Sequence, residues 1–485
     1  MVRNPAVQKY VRGASALLAL SALAVGVFYA ATRSTESSAS SDAVETTEES
    51  ADSAAMLATR RPNILLFSID TLRADHLHSY GYARDTSPTM DALAARGTRF
   101  ARAYSTASWT LPSVVSLLTG VLPSEHGVIH HEPRPDGTIE QDFLGSDLPS
   151  LPTLLQDAGY RTIGVTANAH LRTEGGFSRG FDDYLCMDMA DAEGMRAEIW
   201  SRLDALREGD RPYFLWVHVT DPHVRYRARS PQFERWWGES RPRHAELEQS
   251  LFLVGIQPVA ATNGLPVPEA IEYVDAAYDS EIRAVDDFLS DLLAALDDEQ
   301  LAVVVTADHG EELNDHGWMG HGMTLFEETV HVPLIVTIPG VAPSVVTTPV
   351  QLIDVMPTLA DLSGSGPTDA AGCSLVAAMQ GSPLAPRDLL LESGRAVPIA
   401  GVVNERYKYG EVLAQPQIHR LFDLSVDPTE QNDISAREPA LATELHDRVL
   451  AQIDAARARR RVEVVEQVAI PPVVVDQLRA LGYAN

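Results

Sequence analysis

The sequence predicts an α/β fold: a mixed, mostly parallel sheet covered by helices on both faces, with a smaller C-terminal α+β subdomain. Two observations carry the main part. Short apolar runs recur through residues 60–364 with amphipathic helical patterns between them, and two of the runs stop at aspartates, Asp70 and Asp308. Repeated β-α-β order closes into a mostly parallel sheet with helices on each face. Ligands of such sheets collect at the carboxyl ends of the strands. A third observation, a change of pattern after Gly364, sets off residues 365–485 as the subdomain.

Taken in order, "NILLFSI" (63–69) is an unbroken apolar run ending at Asp70, the pattern of a strand buried on both faces. "MDALAARG" (90–97) and "LPTLLQDAG" (151–159) read as helices. "RTIGVTA" (161–167), "YFLWVHV" (213–219), "LAVVVTA" (301–307) and "VPLIVTI" (332–338) read as strands like the first. The longest helical pattern extends from about Pro268 to Leu296, and the stretches Asp188–Asp210 and Arg229–Pro268 read as loops that shape a pocket. Beyond Gly364, "LLLES", "AGVVNERYKYG" and "HRLFDLSVDP" read as short strands with turns. A helix from about Pro439 to Arg461 follows; its Arg457, Arg459, Arg460 and Arg461 complement the dipole and stay solvated.

Ahead of the fold, residues 1–32 carry Arg3, Lys9 and Arg12 and then the apolar run Ala14–Ala31. A basic segment followed by an apolar one is an export signal, either cleaved or kept as a membrane tether through residues 14–31. Basic charge before the run places the rest of the chain outside the cytoplasm, periplasmic or extracellular. Residues 33–59 are Ser, Thr, Glu and Ala with little to bury, the composition of a disordered linker.

The 67 acidic against 38 basic side chains give a net charge of −29, which excludes a nucleic-acid partner. Lysine occurs only at positions 9 and 408. The two cysteines, Cys186 and Cys373, lack metal-ligand spacing and read as small core residues rather than a disulfide.

The chemistry gathers at strand ends. Asp70 and the pair Asp308-His309 each follow an apolar run directly. Two carboxylates and an imidazole converging from one sheet form a set for a divalent metal. Thr110 opens "TLPSVVSLL", a helix with Pro112 in its first turn. A hydroxyl there meets unpaired N–H groups and the positive end of the dipole, so it can serve as a metal-activated nucleophile and fourth ligand.

Several ordered motifs now point one way. "RPNILLFSIDTLRADHLHSYGYARDTSPTMDALAARGTRFARAYS", "WTLPSVVSLLTG", "PSEHGV", "FLWVHVTDPHVRY", "TADHGEELNDHG" and "GHGMTLFEETVHVPLIV" come first. "LIDVMPTLADLSG", "GCSL", "LFDLSVDPTEQND" and "LRALGY" follow. Together they resemble the sulfatase family of the alkaline phosphatase superfamily, over nearly all of residues 61–485. The resemblance implies hydrolysis of sulfate or phosphate esters with one divalent ion, Ca2+ by sulfatase analogy or else Mn2+, Zn2+ or Mg2+. It also implies a small-molecule, glycan or lipid-headgroup ester as substrate.

The departures bear on mechanism. Where the family has Cys-x-Pro-x-Arg, with the cysteine converted to formylglycine, this chain has Thr110 and Val114. Threonine cannot yield that aldehyde. Asn168 and His321 stand where the family's two lysines are expected, and Thr71 replaces the second aspartate of the first metal motif. What remains is similar to the phosphodiesterases and headgroup phosphotransferases of the superfamily, which use a metal-bound threonine. Asp70, Thr110, Asp308 and His309 match their set residue by residue. By the same resemblance His223 and His321 are catalytic, acting on the ester oxygens or leaving group, and Asn168 and His170 contact substrate. His126, His316 and His331 are left without a role. A phospho-headgroup transferase and a catalytically inactive binding protein with the sulfatase fold are the alternatives.

Overall fold

The computed structural model describes residues 61–129, 131–133, 139–207, 209–248, 255–366, 368–395, 397–460 and 467–470. The export segment 1–32 with its tether 14–31, the linker 33–59 and the motif "LRALGY" lie outside them. Among the described residues no helix is long and apolar enough to cross a membrane.

The main sheet has nine strands: β1 (Asn63–Ile69), β2 (Thr98–Tyr104), β3 (Arg161–Thr166), β4 (Asp183–Cys186), β5 (Tyr213–Val219), β6 (Leu301–Ala307), β7 (His331–Thr337), β8 (Ser344–Val346) and β9 (Val350–Gln351). They lie in the order β8-β2-β7-β6-β1-β5-β3-β4, with β9 also paired to β2. β1, β5 and β6 are buried along almost their whole length because helices cover both faces. Strands β3 to β6 run parallel with β1, whereas β7 is antiparallel to both its neighbours, β6 and β2. That direction corrects the sequence reading, which grouped β7 with the parallel runs. A parallel pair needs a long crossover, usually a helix. Between β6 and β7 the chain instead makes a two-strand ribbon and the short turn helix Glu327–Val330, and returns beside the strand it left. β2, "TRFARAY", escaped notice because arginines interrupt its apolar alternation.

Helix α1 (Thr110–Thr119) is buried at all ten positions and stops at Gly120, whose φ of 68° suits glycine. Helix α2 (Val267–Leu296) runs 30 residues and buries a face including Val274, Tyr278, Ile282, Val285, Leu289 and Leu292. The stretches read as pocket loops carry helices of their own, Ala192–Leu206, Gln232–Trp237 and Ile256–Thr262. The first starts on a capping Asp191 carboxylate that accepts from the Gly194 N–H.

The C-terminal part is an antiparallel sheet of β10 (Leu389–Ser393), β11 (Ile399–Val403), β12 (Tyr407–Val412) and β13 (Gln415–Asp423). Helix α3 (Pro439–Ala458) packs Ala442, Leu445, Val449, Ile453 and Ala456 against Leu390, Val402 and Leu421, and Leu122 and Ile353 join the same cluster. Arg459 does not simply stay solvated: its Nε donates to the buried Glu125 carboxylate at 3.1 Å. The cysteines are free and neither belongs to the core, Cys186 being half-buried and Cys373 exposed.

Candidate active site

Register explains why residues 238 apart in sequence meet. β1 and β6 are adjacent and parallel, with Ile69 opposite Ala307, so Asp70 and Asp308 are the next residues on neighbouring strands. The ladder continues just past the strands: the Asp70 N–H donates to the Val219 carbonyl at 2.9 Å and the Asp308 N–H to the Ile69 carbonyl at 3.4 Å. Gly310 then turns the chain against Glu328, whose carbonyl oxygen would lie 2.0 Å from any Cβ added there. Only a glycine allows that approach. Helix α1 is pinned to the same point, because Ser113 Oγ donates to the Asp308 carbonyl. Val114 is fully buried core.

Asp70, Asp308 and His309 bring three ligand atoms within 4.8 Å of one another, all fully buried. Thr110 is the first residue of α1. Its Oγ1 lies 3.3 Å from His309 Nε2, accepts from Asn168 Nδ2 at 3.3 Å and hydrogen-bonds to Asp308. His309 Nδ1–H donates to the Gly310 carbonyl at 2.9 Å. That bond fixes the tautomer and leaves the Nε2 lone pair facing Asp70 at 3.4 Å and Asp308 at 3.5 Å. The four residues predicted as a metal set are therefore brought together.

Burial raises the Asp70 carboxyl well above its ordinary value, and the Asp308 charge beside it raises it further. Burial pushes the Asp308 carboxyl up to about 8. Asp70 Oδ1 and Asp308 Oδ2 are buried without a hydrogen-bond partner. Two adjacent orphaned carboxylate oxygens, hard donors, and an imidazole lone pair, a borderline one, make a donor set for a divalent cation. The cluster fits such an ion.

Around it stand the other predicted residues. Asn168 Nδ2 donates to Asp70 Oδ2 at 2.6 Å, so this amide orients a ligand and the threonine together. His170 has Nδ1 2.8 Å from Gln141 Oε1, and its ring meets Trp109, the residue before Thr110, edge-on. His223 and His321 are in ring contact, 4.9 Å between centroids, and His321 is 4.5 Å from His309. His223 Nδ1–H donates to the Val224 carbonyl at 2.7 Å, and His321 Nδ1 lies 2.8 Å from Glu311 Oε1. Burial depresses both imidazoles, His223 to about 3 and His321 well below its ordinary value. His126 is tied to Ser116 and the Val128 N–H, His316 to Glu328 and the Glu430 carbonyl, and His331 to the Ala101 carbonyl.

Two residues at the site were missed in the sequence. His218, near the end of β5, has Nε2 4.0 Å from Asp70 Oδ2 and Nδ1 2.9 Å from Ser68 Oγ. It sits opposite Ser68 in the strand register, a relation no sequence pattern records. Glu311 holds His321, accepts from Tyr226 and is pushed up to about 7, first by burial. Its signal was available: it is the first acid after the Asp308-His309 pair.

A mostly parallel sheet with an acid-histidine cluster at its strand ends, a threonine on a helix N-terminus and an antiparallel C-terminal sheet defines the alkaline-phosphatase-like class of ester hydrolases. Within it, this chain belongs to the sulfatase family, whose profile matches residues 62–365. A second profile, N-sulphoglucosamine sulphohydrolase, C-terminal, matches residues 314–457. The choline-sulfatase of Rhizobium meliloti (strain 1021) is 25% identical over 456 residues, covering 78% of this chain and 83% of its own. Arylsulfatase A of Bos taurus is 28% identical over 466 residues, covering 81% and 83%. Among solved structures, one in complex with its substrate D-glucosamine-2-N,6-O-disulfate has a TM-score of 0.68 at 18% identity, covering 84% of this chain and 100% of that one. The phosphonate monoester hydrolase of Agrobacterium radiobacter has a TM-score of 0.64 at 21% identity, covering 82% and 96%.

Proposed function

We propose that this chain is an exported, divalent-metal-dependent ester hydrolase that uses Thr110 as nucleophile and prefers phosphate esters, diesters above all, to sulfate esters. The observation that carries it is the position of the Thr110 hydroxyl, at a helix N-terminus and 3.3 Å from both His309 Nε2 and Asn168 Nδ2, beside two orphaned carboxylate oxygens. Asp70, Asp308, His309 and Thr110 would hold the ion, Ca2+ by family analogy or else Mn2+, Zn2+ or Mg2+. Bound there, it supplies Lewis acidity and lowers the hydroxyl's pKa.

The residues do the rest. The Thr110 hydroxyl gives up its proton along its hydrogen bond to Asp308, and Oγ1 attacks the phosphorus or sulfur. Asn168 keeps the oxygen aimed. The leaving alkoxide takes a proton from His321 or His223, each made cationic by the negative charge that the ester brings beside it. Glu311 on His321 Nδ1 stabilises that cation. Water then attacks the threonine ester, which restores the hydroxyl and releases the oxyanion. A formylglycine hydrate expels sulfate from a hemiacetal without that attack, a route closed to threonine, and this underlies the preference for phosphoesters.

The substrate is a small-molecule or glycan ester, in keeping with the disulfated glucosamine and choline sulfate named for the relatives. Export rests on the basic and apolar segment 1–32. The test is a panel of aryl phosphodiesters, monoesters and sulfates with metal-loaded protein. Phosphodiesters should turn over fastest, and Thr110→Ala should cost ~10³-fold or more in kcat. Brisk arylsulfatase activity, or full activity in Thr110→Ala, would refute the reading. Bound metal with no activity on any ester would establish the binding-protein alternative.

A further inference from the structure

Resting on the ester-hydrolase reading, the site must receive an anion, yet no lysine lies between residues 10 and 407 to meet it. Asn168 is committed to Asp70 and Thr110, and His321 to Glu311. The chain's net charge of −29 adds no general attraction for a negative substrate. We propose that Arg395, from the C-terminal part of the chain, binds the non-bridging oxygens of the substrate's phosphate or sulfate group.

The geometry starts from β10, whose end is drawn onto the nucleophile loop. The Glu392 N–H donates to the Thr106 carbonyl at 2.8 Å, and Ser108 Oγ donates to Ser393 Oγ at 3.1 Å. Ser393 Oγ in turn reaches the Gly322 carbonyl at 3.4 Å. Two residues on, the Arg395 stem lies over Gly322. A Cβ added there would stand 2.9 Å from Arg395 Cδ and 3.5 Å from Trp109 Cβ. The stem therefore crosses the residue following His321, close to the residue preceding Thr110, in space that a glycine leaves open. Gly322 has φ of +83°, so the backbone favours glycine there as well. Arg395 is half-buried, and its charge lowers the proton affinity of both His321 and His223.

A guanidinium is permanently charged and presents paired N–H donors that match two oxygens of a tetrahedral oxyanion. At this place it does the work of the family's lysines from a different part of the chain. No sequence pattern marks it, since it lies 86 residues beyond His309 in a segment without a motif.

The test uses metal-loaded protein and inorganic phosphate and sulfate as probes, followed by isothermal titration calorimetry. Wild type is compared with Arg395→Gln, with Arg395→Met, which keeps the stem on Gly322 and Trp109, and with Arg395→Lys. Arg406→Gln, which breaks an exposed pair with Asp423, is the charge control. The expected result is at least a tenfold loss of phosphate and sulfate affinity in both neutral variants. KM for anionic esters rises in parallel, Tm is unchanged, Lys recovers part of the loss and Arg406→Gln loses nothing. Wild-type affinity and KM in either folded neutral variant overturn the proposal, as does a wild type that binds neither anion. Arg395-dependent phosphate binding without hydrolysis of any ester would support the anion site and refute the hydrolase reading alone. Ester turnover with KM unmoved by Arg395→Met would refute Arg395 alone.

Discussion

Stripping the metal should make the protein's stability depend on pH through Asp308. Burial holds this carboxyl at about 8 against an ordinary 3.8. A carboxyl raised in this way stays protonated in the fold while the unfolded chain ionises. Its contribution to stability is whole below pH 3.8, drains as pH climbs, and levels off above about 8. Each pH unit inside that window costs about 1.36 kcal/mol, so warming scans at pH 5 and pH 8 should differ by about 4 kcal/mol from this group alone. For a chain of this size that is a fall in Tm of about 5 °C. Glu311 and Glu430, each pushed up to about 7 by burial, add slopes of their own. The comparison is therefore between chelated wild type and chelated Asp308→Asn, an isosteric change that removes this titration and relieves its charge on Asp70. The assay is circular-dichroism melting across pH 5 to 8, with and without added Mn2+ or Ca2+. Wild type should lose about 5 °C more than the variant across the range, and metal should restore it by binding the ionised pair. Parallel curves for the two proteins, or no metal-dependent rise at pH 8 in wild type, would refute the reasoning.

Peptide mass spectrometry across Ser108–Gly120, after co-expression with a formylglycine-generating enzyme, should show unmodified Thr110; an aldehyde there would be decisive against it. Glu311→Gln should lower kcat about tenfold or more with KM little changed, because it leaves the His321 ring without its carboxylate; steady-state kinetics on an aryl phosphodiester reads this directly. Arg459→Ala should cost about 1 kcal/mol in urea unfolding, since it deprives the buried Glu125 of an ion-pair partner while itself being half exposed.

What the sequence determined by itself was the periodicity and the chemistry. Continuous apolar runs ending in Asp70 and Asp308 specify strands buried on both faces with acids at their carboxyl ends, and the order of motifs specifies the family. Equally legible were Thr110 at the start of its helical pattern and the lack of any lysine between residues 10 and 407. Tertiary structure decided everything that depends on which surfaces touch. Strand direction was one case, because a doubly buried run looks the same either way and β7 is reversed by the loop before it. Register was another: the alignment of Ile69 with Ala307 sets Asp70 beside Asp308, and that of Ser68 with His218 brings in a histidine no motif announced. Partner choice was the last, sending Asn168 to Asp70, His170 Nδ1 to Gln141 and Arg395 across Gly322. The physical reason is common to all three. Periodicity is a property of one segment, whereas register, direction and side-chain pairing are properties of two, and their energies exist only once both segments are packed.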